Sequence, residues 1–138
     1  FTETTLVSGP KAPGGWRTTA EGEAKQAAQV RDFYTLLFSH PAVQAITWWD
    51  LTDQGAWQQA PAGLIRDDMS PKPAYDVLMD LVKGKWWTRA EAKVGPGGTA
   101  TFDGFFGDDE AAAEVAGRRL TARFTHAKAG ETHEIRLA

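Results

Sequence analysis

The stretch 46-ITWWDLTDQGAWQQAPAGLIRDDMSPKPAY-75 sets Trp48, Trp49 and Trp57 around a polar loop that carries Asp50, Asp53 and Gln54, and it closes on Lys-Pro-Ala-Tyr. Its first residues belong to "AVQAITWW" (42–49), a short, largely apolar run bounded by turn residues. That is the pattern of a strand buried on both faces. After the loop, Ser70 with Pro71 or Pro73 starts a helix whose Ala74, Val77, Leu78, Leu81 and Val82 share one face, and Gly84 suits its C-terminal cap.

The same grammar precedes it. "FTETT" (1–5) reads as a strand end, followed by the loop "SGPKAPGGW" (8–16). Thr18 with Glu21 three residues on has the form of a capping box. The helix behind it runs through "EGEAKQAAQVRDFYTLLFSH" (21–40), with Ala27, Val30, Tyr34, Leu37 and Phe38 on a buried face, until Pro41 stops it. Strand, loop, helix, repeated, predicts a parallel sheet covered by helices. Two such units neither close a barrel nor shield both faces of a sheet, so the expectation is the tail of a larger α/β domain, cut at its N-terminal side.

All six tryptophans and six of the seven prolines precede residue 93. That shift, with the turn-rich "KVGPGGT" (93–99), predicts domains 1–92 and 93–138. In the second, the apolar period becomes two. "TATFDGFFG" (99–107), "AAEVAG" (112–117), "RRLTARFT" (118–125) and "THEIRLA" (132–138) read as short strands of a small antiparallel, β-sandwich-like unit, with Phe102, Phe105 and Phe106 in its core. A unit of this size buries little core alone, and packing against the first part or against further chain is expected.

Composition removes several function classes. A net charge of −3 with scattered basic residues argues against a nucleic-acid partner. No window nears the roughly 18 consecutive apolar residues of a membrane helix, so no membrane partner is expected. Zero cysteines removes thiolate metal sites. His40, His126 and His133 are dispersed, and "GDDE" (107–110) reads as a solvated turn rather than a calcium loop. With no phosphate-binding glycine loop or serine nucleophile elbow either, neither metal nor cofactor is expected.

Functional groups of parallel α/β folds gather where strands end and loops lead into helices. One such end presents Glu3, and the other presents Trp48, Trp49 and Asp50. A carboxylate beside exposed indoles suits sugar chemistry, because pyranose C–H faces lie on aromatic rings while hydroxyls need Gln, Asn or Asp partners. Glycoside hydrolysis asks for two carboxyl groups, about 5 to 5.5 Å apart for retention, and Glu3 is the one candidate in this chain. From the residues alone, edge packing by the tryptophans and a sugar platform both remain open.

"ITWWDLTDQGAW", "GLIRDD" and "SPKPAY" resemble the eighth strand, following loop and eighth helix start of glycoside hydrolase family 10, the endo-β-1,4-xylanases, and "FTET" resembles the end of that family's seventh strand. The resemblance covers residues 1 to about 88. It implies the last two β/α units of a (β/α)8 TIM barrel, with Glu3 as the retaining nucleophile and Trp49 and Trp57 as walls of the sugar site. Trp48, Asp53 and Gln54 join them as substrate-binding candidates, Asp53 also as a loop anchor. Where the family has Asp two residues after the nucleophile, this chain has Thr5. The family's acid/base glutamate lies on an upstream strand outside this chain.

The resemblance therefore implies a glycosidase acting on a β-1,4-linked, xylan-like polysaccharide, extracellular or periplasmic, without a cofactor, and inactive as the isolated chain. Its partner would be an N-terminal barrel segment or a second copy covering the open flanks. The alternative is a non-catalytic carbohydrate-binding or structural module.

Overall fold

Thr19, one residue later than the predicted cap, opens the long helix. In the computed structural model, which describes residues 1–135, Thr19 has extended backbone and its hydroxyl accepts the Gly22 N–H at 3.0 Å. The helix α1 then spans Ala20–Phe38. Thr18 contributes differently, its hydroxyl donating to Glu23 at 3.2 Å. Two compact units are present, Phe1–Gly84 and Lys85–Ala138.

In the first unit the loop after the N-terminal segment folds into a minimal hairpin, β1 (Lys11–Ala12) against β2 (Gly15–Trp16). The buried face of α1 carries Glu23, Gln26, Ala27, Val30, Tyr34 and Leu37, at the three-and-four spacing of one helix side. Its two polar members are held: Gln26 Nε2 donates to the Leu6 carbonyl at 2.6 Å, and Glu23 pairs with Arg66. Phe38, expected on this face, is 43% exposed, because α1 ends there and Ser39 caps it.

The predicted strands 1–5 and 42–49 run side by side in parallel, bridged at Thr4 and Trp48. The Thr4 N–H donates to the Thr47 carbonyl and the Trp49 N–H to the Thr4 carbonyl, each at 2.9 Å. The pairing stays at one bridge rather than a full ladder. Gln44, Ala45 and Thr47 are exposed, and no third strand flanks the pair among the described residues. With α1 as the crossover, this is a β-α-β connection in miniature.

The second helix, α2, spans Pro73–Met79 with proline in its first turn, where a missing N–H costs nothing. It packs against α1. From Asp80 to Lys85 the turn widens to π geometry, so Gly84 lies inside it instead of capping. The wider turn shifts the angular phase: Leu81 stays buried at 4% exposure whereas Val82, expected inward, is 40% exposed. Val30, Ala62, Leu64, Ala74 and Leu81 form the core of this unit.

The second unit departs further from expectation. Its described residues hold one antiparallel hairpin, β3 (Gly107–Val115) with β4 (Arg118–His126), not four strands of a sandwich. Ala116 and Gly117 make the two-residue turn with positive φ at both positions, the geometry that matches the twist of the flanking strands. "GDDE" is the start of β3 rather than a turn.

Residues 99–106 form no strand: the Phe105 N–H donates to the Thr88 hydroxyl at 3.0 Å instead of to a neighbouring strand. Phe102, Phe105 and Phe106 are 43%, 40% and 65% exposed, so they are not a buried core. Phe102 meets Phe124 edge-on, and Phe106 meets His126 the same way. Of the expected strand 132–138, residues 132–135 form no strand and 136–138 lie outside the described residues.

Candidate functional site

The parallel pairing brings the ends of the two N-terminal segments to one side of the first unit. Thr4 points inward and is buried, its hydroxyl donating to the Thr47 carbonyl at 2.8 Å. Glu3 and Thr5, one residue to either side, are exposed, as the two-residue alternation of extended chain requires. Thr5 donates to the Trp49 carbonyl at 2.6 Å. The residue two positions after Glu3 thus ties that segment to the tryptophan segment.

The adjacent tryptophans part in the same way. Trp48 is half-buried, its ring 6.2 Å from that of Tyr34 and its Nε1–H donating to the Ala62 carbonyl at 3.2 Å. Burial pushes the Tyr34 hydroxyl pKa upward, partly offset by its hydrogen bond with Thr4. Trp49 is 49% exposed and Trp57 68% exposed. Trp49 and Trp57 therefore offer open indole faces, whereas Trp48 is a packing residue with its polar edge already used.

Asp50 reaches across the loop, its Oδ2 accepting the Trp57 N–H at 2.9 Å. Trp57–Gln59 forms a short 3₁₀ turn in which Gln58 and Gln59 both have positive φ, 55° and 56°. Left-handed backbone at a non-glycine residue costs about 1–3 kcal/mol and persists where surroundings hold it. Gln54 is exposed at the loop's other end.

Asp53 has a different environment from that of an open sugar ligand. Its side chain is 11% exposed and pairs with Lys72, which is fully buried, at 2.7 Å. Asp53 Oδ1 also accepts the Gly63 N–H at 2.8 Å. Lys72 Nζ donates further to Ser8 Oγ at 3.0 Å and to the Pro61 carbonyl at 3.3 Å. One ammonium therefore fastens the tryptophan loop, the Pro61 segment and the strand-to-α1 loop together. Lys72 and Ser8 were not singled out from sequence; the one signal was Lys72's place in the Lys-Pro-Ala-Tyr run, directly before α2.

A second ion pair, Glu23 with Arg66, is two-pronged, Arg66 Nε meeting Oε1 at 2.8 Å and Nη2 meeting Oε2. The Arg66 hydrogen bond holds the Glu23 carboxyl below its ordinary pKa against the opposing effect of burial. Arg66 Nη1 also donates to the Pro71 carbonyl at 2.7 Å. The loop from Trp49 to α2 is thus braced from both ends. No group of three or more metal-ligating side chains occurs among the described residues.

The family model for glycosyl hydrolase family 10 matches residues 8–81, more than half of the chain. The chain belongs to glycosyl hydrolase family 10. Trp48, Trp49, Asp53, Gln54, Trp57 and Lys72 lie within the matched family 10 segment, and Glu3 and Thr5 lie just upstream of it. The chain is also similar to the protein named Anti-sigma-I factor RsgI6 of Acetivibrio thermocellus, at 27% identity over 96 residues. That similarity covers 70% of this chain and 12% of the other protein's length.

Proposed function

We propose that the family 10 segment supplies the nucleophile and part of the sugar site of a retaining endo-β-1,4-glycanase, with xylan as substrate. The observation that supports this reading is the parallel bridge of Thr4 with Trp48, with exposed Glu3 one residue from it on one segment and exposed Trp49 one residue from it on the other, and with the backbone of exposed Trp57 tethered by Asp50. The same β-α-β connection followed by α2 supports these residues as the last two units of a (β/α)8 barrel, where catalytic groups sit at the C-terminal strand ends.

In this mechanism a pyranose ring lies on the indole faces of Trp49 and Trp57. The Glu3 carboxylate attacks the anomeric carbon from the face opposite the leaving oxygen. The glycosidic bond breaks as an acid from elsewhere in the enzyme protonates that oxygen, leaving a glycosyl ester on Glu3. Water, deprotonated by the same group, then attacks the ester, and the carboxylate is released with configuration retained. Thr5 holds the strand end through the Trp49 carbonyl.

Because the acid/base is not among these residues, the isolated chain is inactive. Its partner is the rest of the barrel, or a second copy covering the exposed Leu36, Leu51 and Met79. A polymeric substrate puts the enzyme in the extracellular or periplasmic space. No helix of the described residues is long and apolar enough to cross a membrane.

The test is Glu3→Gln in the protein that carries this chain with its whole barrel. Turnover of xylan is lost, while affinity for xylan stays within about threefold, since only a group acting in the transition state is removed. Full activity in that variant would sink the nucleophile assignment.

A second reading rests on Thr5 and on the similarity to a protein named as an anti-sigma factor. In it the same indoles bind glycan without hydrolysing it. Xylan binding with no turnover by the whole protein would favour this reading.

A further inference from the structure

In sequence between the two exposed tryptophans, Asp50 carries a carboxylate that the proposed chemistry does not use. Asp50 follows Trp49 directly, is half-buried, and spends one oxygen on the backbone N–H of Trp57 seven residues on. Its other oxygen accepts no hydrogen bond among the described residues. This is a charge-assisted contact of 2.9 Å, the stronger class of hydrogen bond. It enters a turn whose next two residues hold left-handed backbone.

Trp57 is 68% exposed, so side-chain packing alone does little to fix it. Gly55, with φ 74° and open space around its α-carbon, adds freedom two residues before it. A ring that must meet a sugar face at a set distance from a second ring needs its backbone held. Asp50 supplies that hold from the residue next to the other ring.

We propose that Asp50 is a positioning and specificity-determining residue that sets Trp57 at a fixed spacing from Trp49 and so defines a subsite for a β-1,4-linked pyranose chain. The sugar part of this assignment rests on the function proposed above; the tether itself does not. An asparagine at the position keeps an acceptor oxygen for the Trp57 N–H, whereas alanine removes it.

The experiment uses the protein that carries this chain with its whole barrel, with xylotetraose as the probe and Glu3→Gln present throughout to prevent hydrolysis. It compares wild type at Asp50 and Trp57 with Asp50→Ala, Asp50→Asn and Trp57→Ala. Affinity is read by calorimetry, and exchange of the Trp57 amide hydrogen by NMR. Asp50→Ala weakens xylotetraose about tenfold, the worth of one charge-assisted hydrogen bond, and speeds Trp57 amide exchange by a similar factor. Asp50→Asn returns both to within about threefold. Unchanged Trp57 exchange in Asp50→Ala would overturn the tether. Unchanged affinity in Asp50→Ala, alongside lost binding in Trp57→Ala, would overturn the positioning role while leaving the sugar platform standing. No binding by the wild type would overturn the sugar assignment, and the exchange rates would still decide the tether.

Discussion

Replacing Lys72 by methionine removes the ammonium at the centre of the loop network while keeping a side chain of similar length. Lys72 is fully buried and donates to Asp53, Ser8 and Pro61. Without it, Asp53, 11% exposed, is left with the Gly63 N–H as its remaining close partner. Breaking a buried pair on one side costs about 3–5 kcal/mol, because the surviving charge is left uncompensated. A unit the size of Phe1–Gly84 has a total stability of about 4–13 kcal/mol at ordinary values per residue. The variant therefore loses about a quarter or more of its margin.

Asp53→Leu alone costs a similar amount, since it strands the buried ammonium. The double variant Asp53→Leu with Lys72→Met removes both charges and mainly orphans the Gly63 N–H, at about 1–3 kcal/mol. Urea unfolding followed by circular dichroism at 222 nm reports on this unit, because both α-helices lie in it. The double variant should be more stable than either single one. Strict additivity of the single losses, or a Lys72→Met cost below about 1 kcal/mol, would refute the reasoning.

The Glu23–Arg66 pair gives a pH dependence of known sign. The Glu23 carboxyl sits below its ordinary value of 4.5 when folded, so its contribution is complete above that value and is lost as pH falls through the depressed one. Between pH 5 and pH 3 the melting temperature of wild type should therefore fall further than that of Glu23→Gln; parallel curves would remove the pair from the account. Gly63→Ala would place a methyl 2.4 Å from the Thr52 carbonyl carbon and 2.5 Å from the Asp53 nitrogen. It should lower stability by about 1–3 kcal/mol or more, measured by the same urea unfolding, and an unchanged midpoint would mean the loop shifts freely.

Helix α1 was legible because its apolar residues keep one period over 19 residues and nothing else competes for them. Its cap slipped by one position because Thr18 and Thr19 are chemically equivalent candidates, and backbone geometry chose between them. The exposure of Trp49 and Trp57 fits their reading as loop-borne indoles, but the split between Trp48 and Trp49 was not legible. That split follows from which strand face meets Tyr34, a contact made across 14 residues of sequence.

Lys72 was illegible for a different reason. A lysine is solvent-exposed by default, and nothing local announces that Asp53, Ser8 and Pro61 converge on it. In the second unit the two-residue period found the β3–β4 hairpin, whose turn residues reinforce it. The same period misled at 99–107, where Phe105 bonds to the Thr88 hydroxyl instead of to a strand. Alternation marks a chain that can pair, and pairing needs a neighbour.

The most direct test of the central claim is to trap the glycosyl intermediate in the protein carrying this chain with its whole barrel. A 2-deoxy-2-fluoro xylobioside with a good leaving group slows hydrolysis of the ester, and tandem mass spectrometry of the digested protein then locates the sugar. The account predicts the label on the peptide containing Glu3, with none in Glu3→Gln. A label on another carboxylate, with Glu3 unmodified, would contradict it.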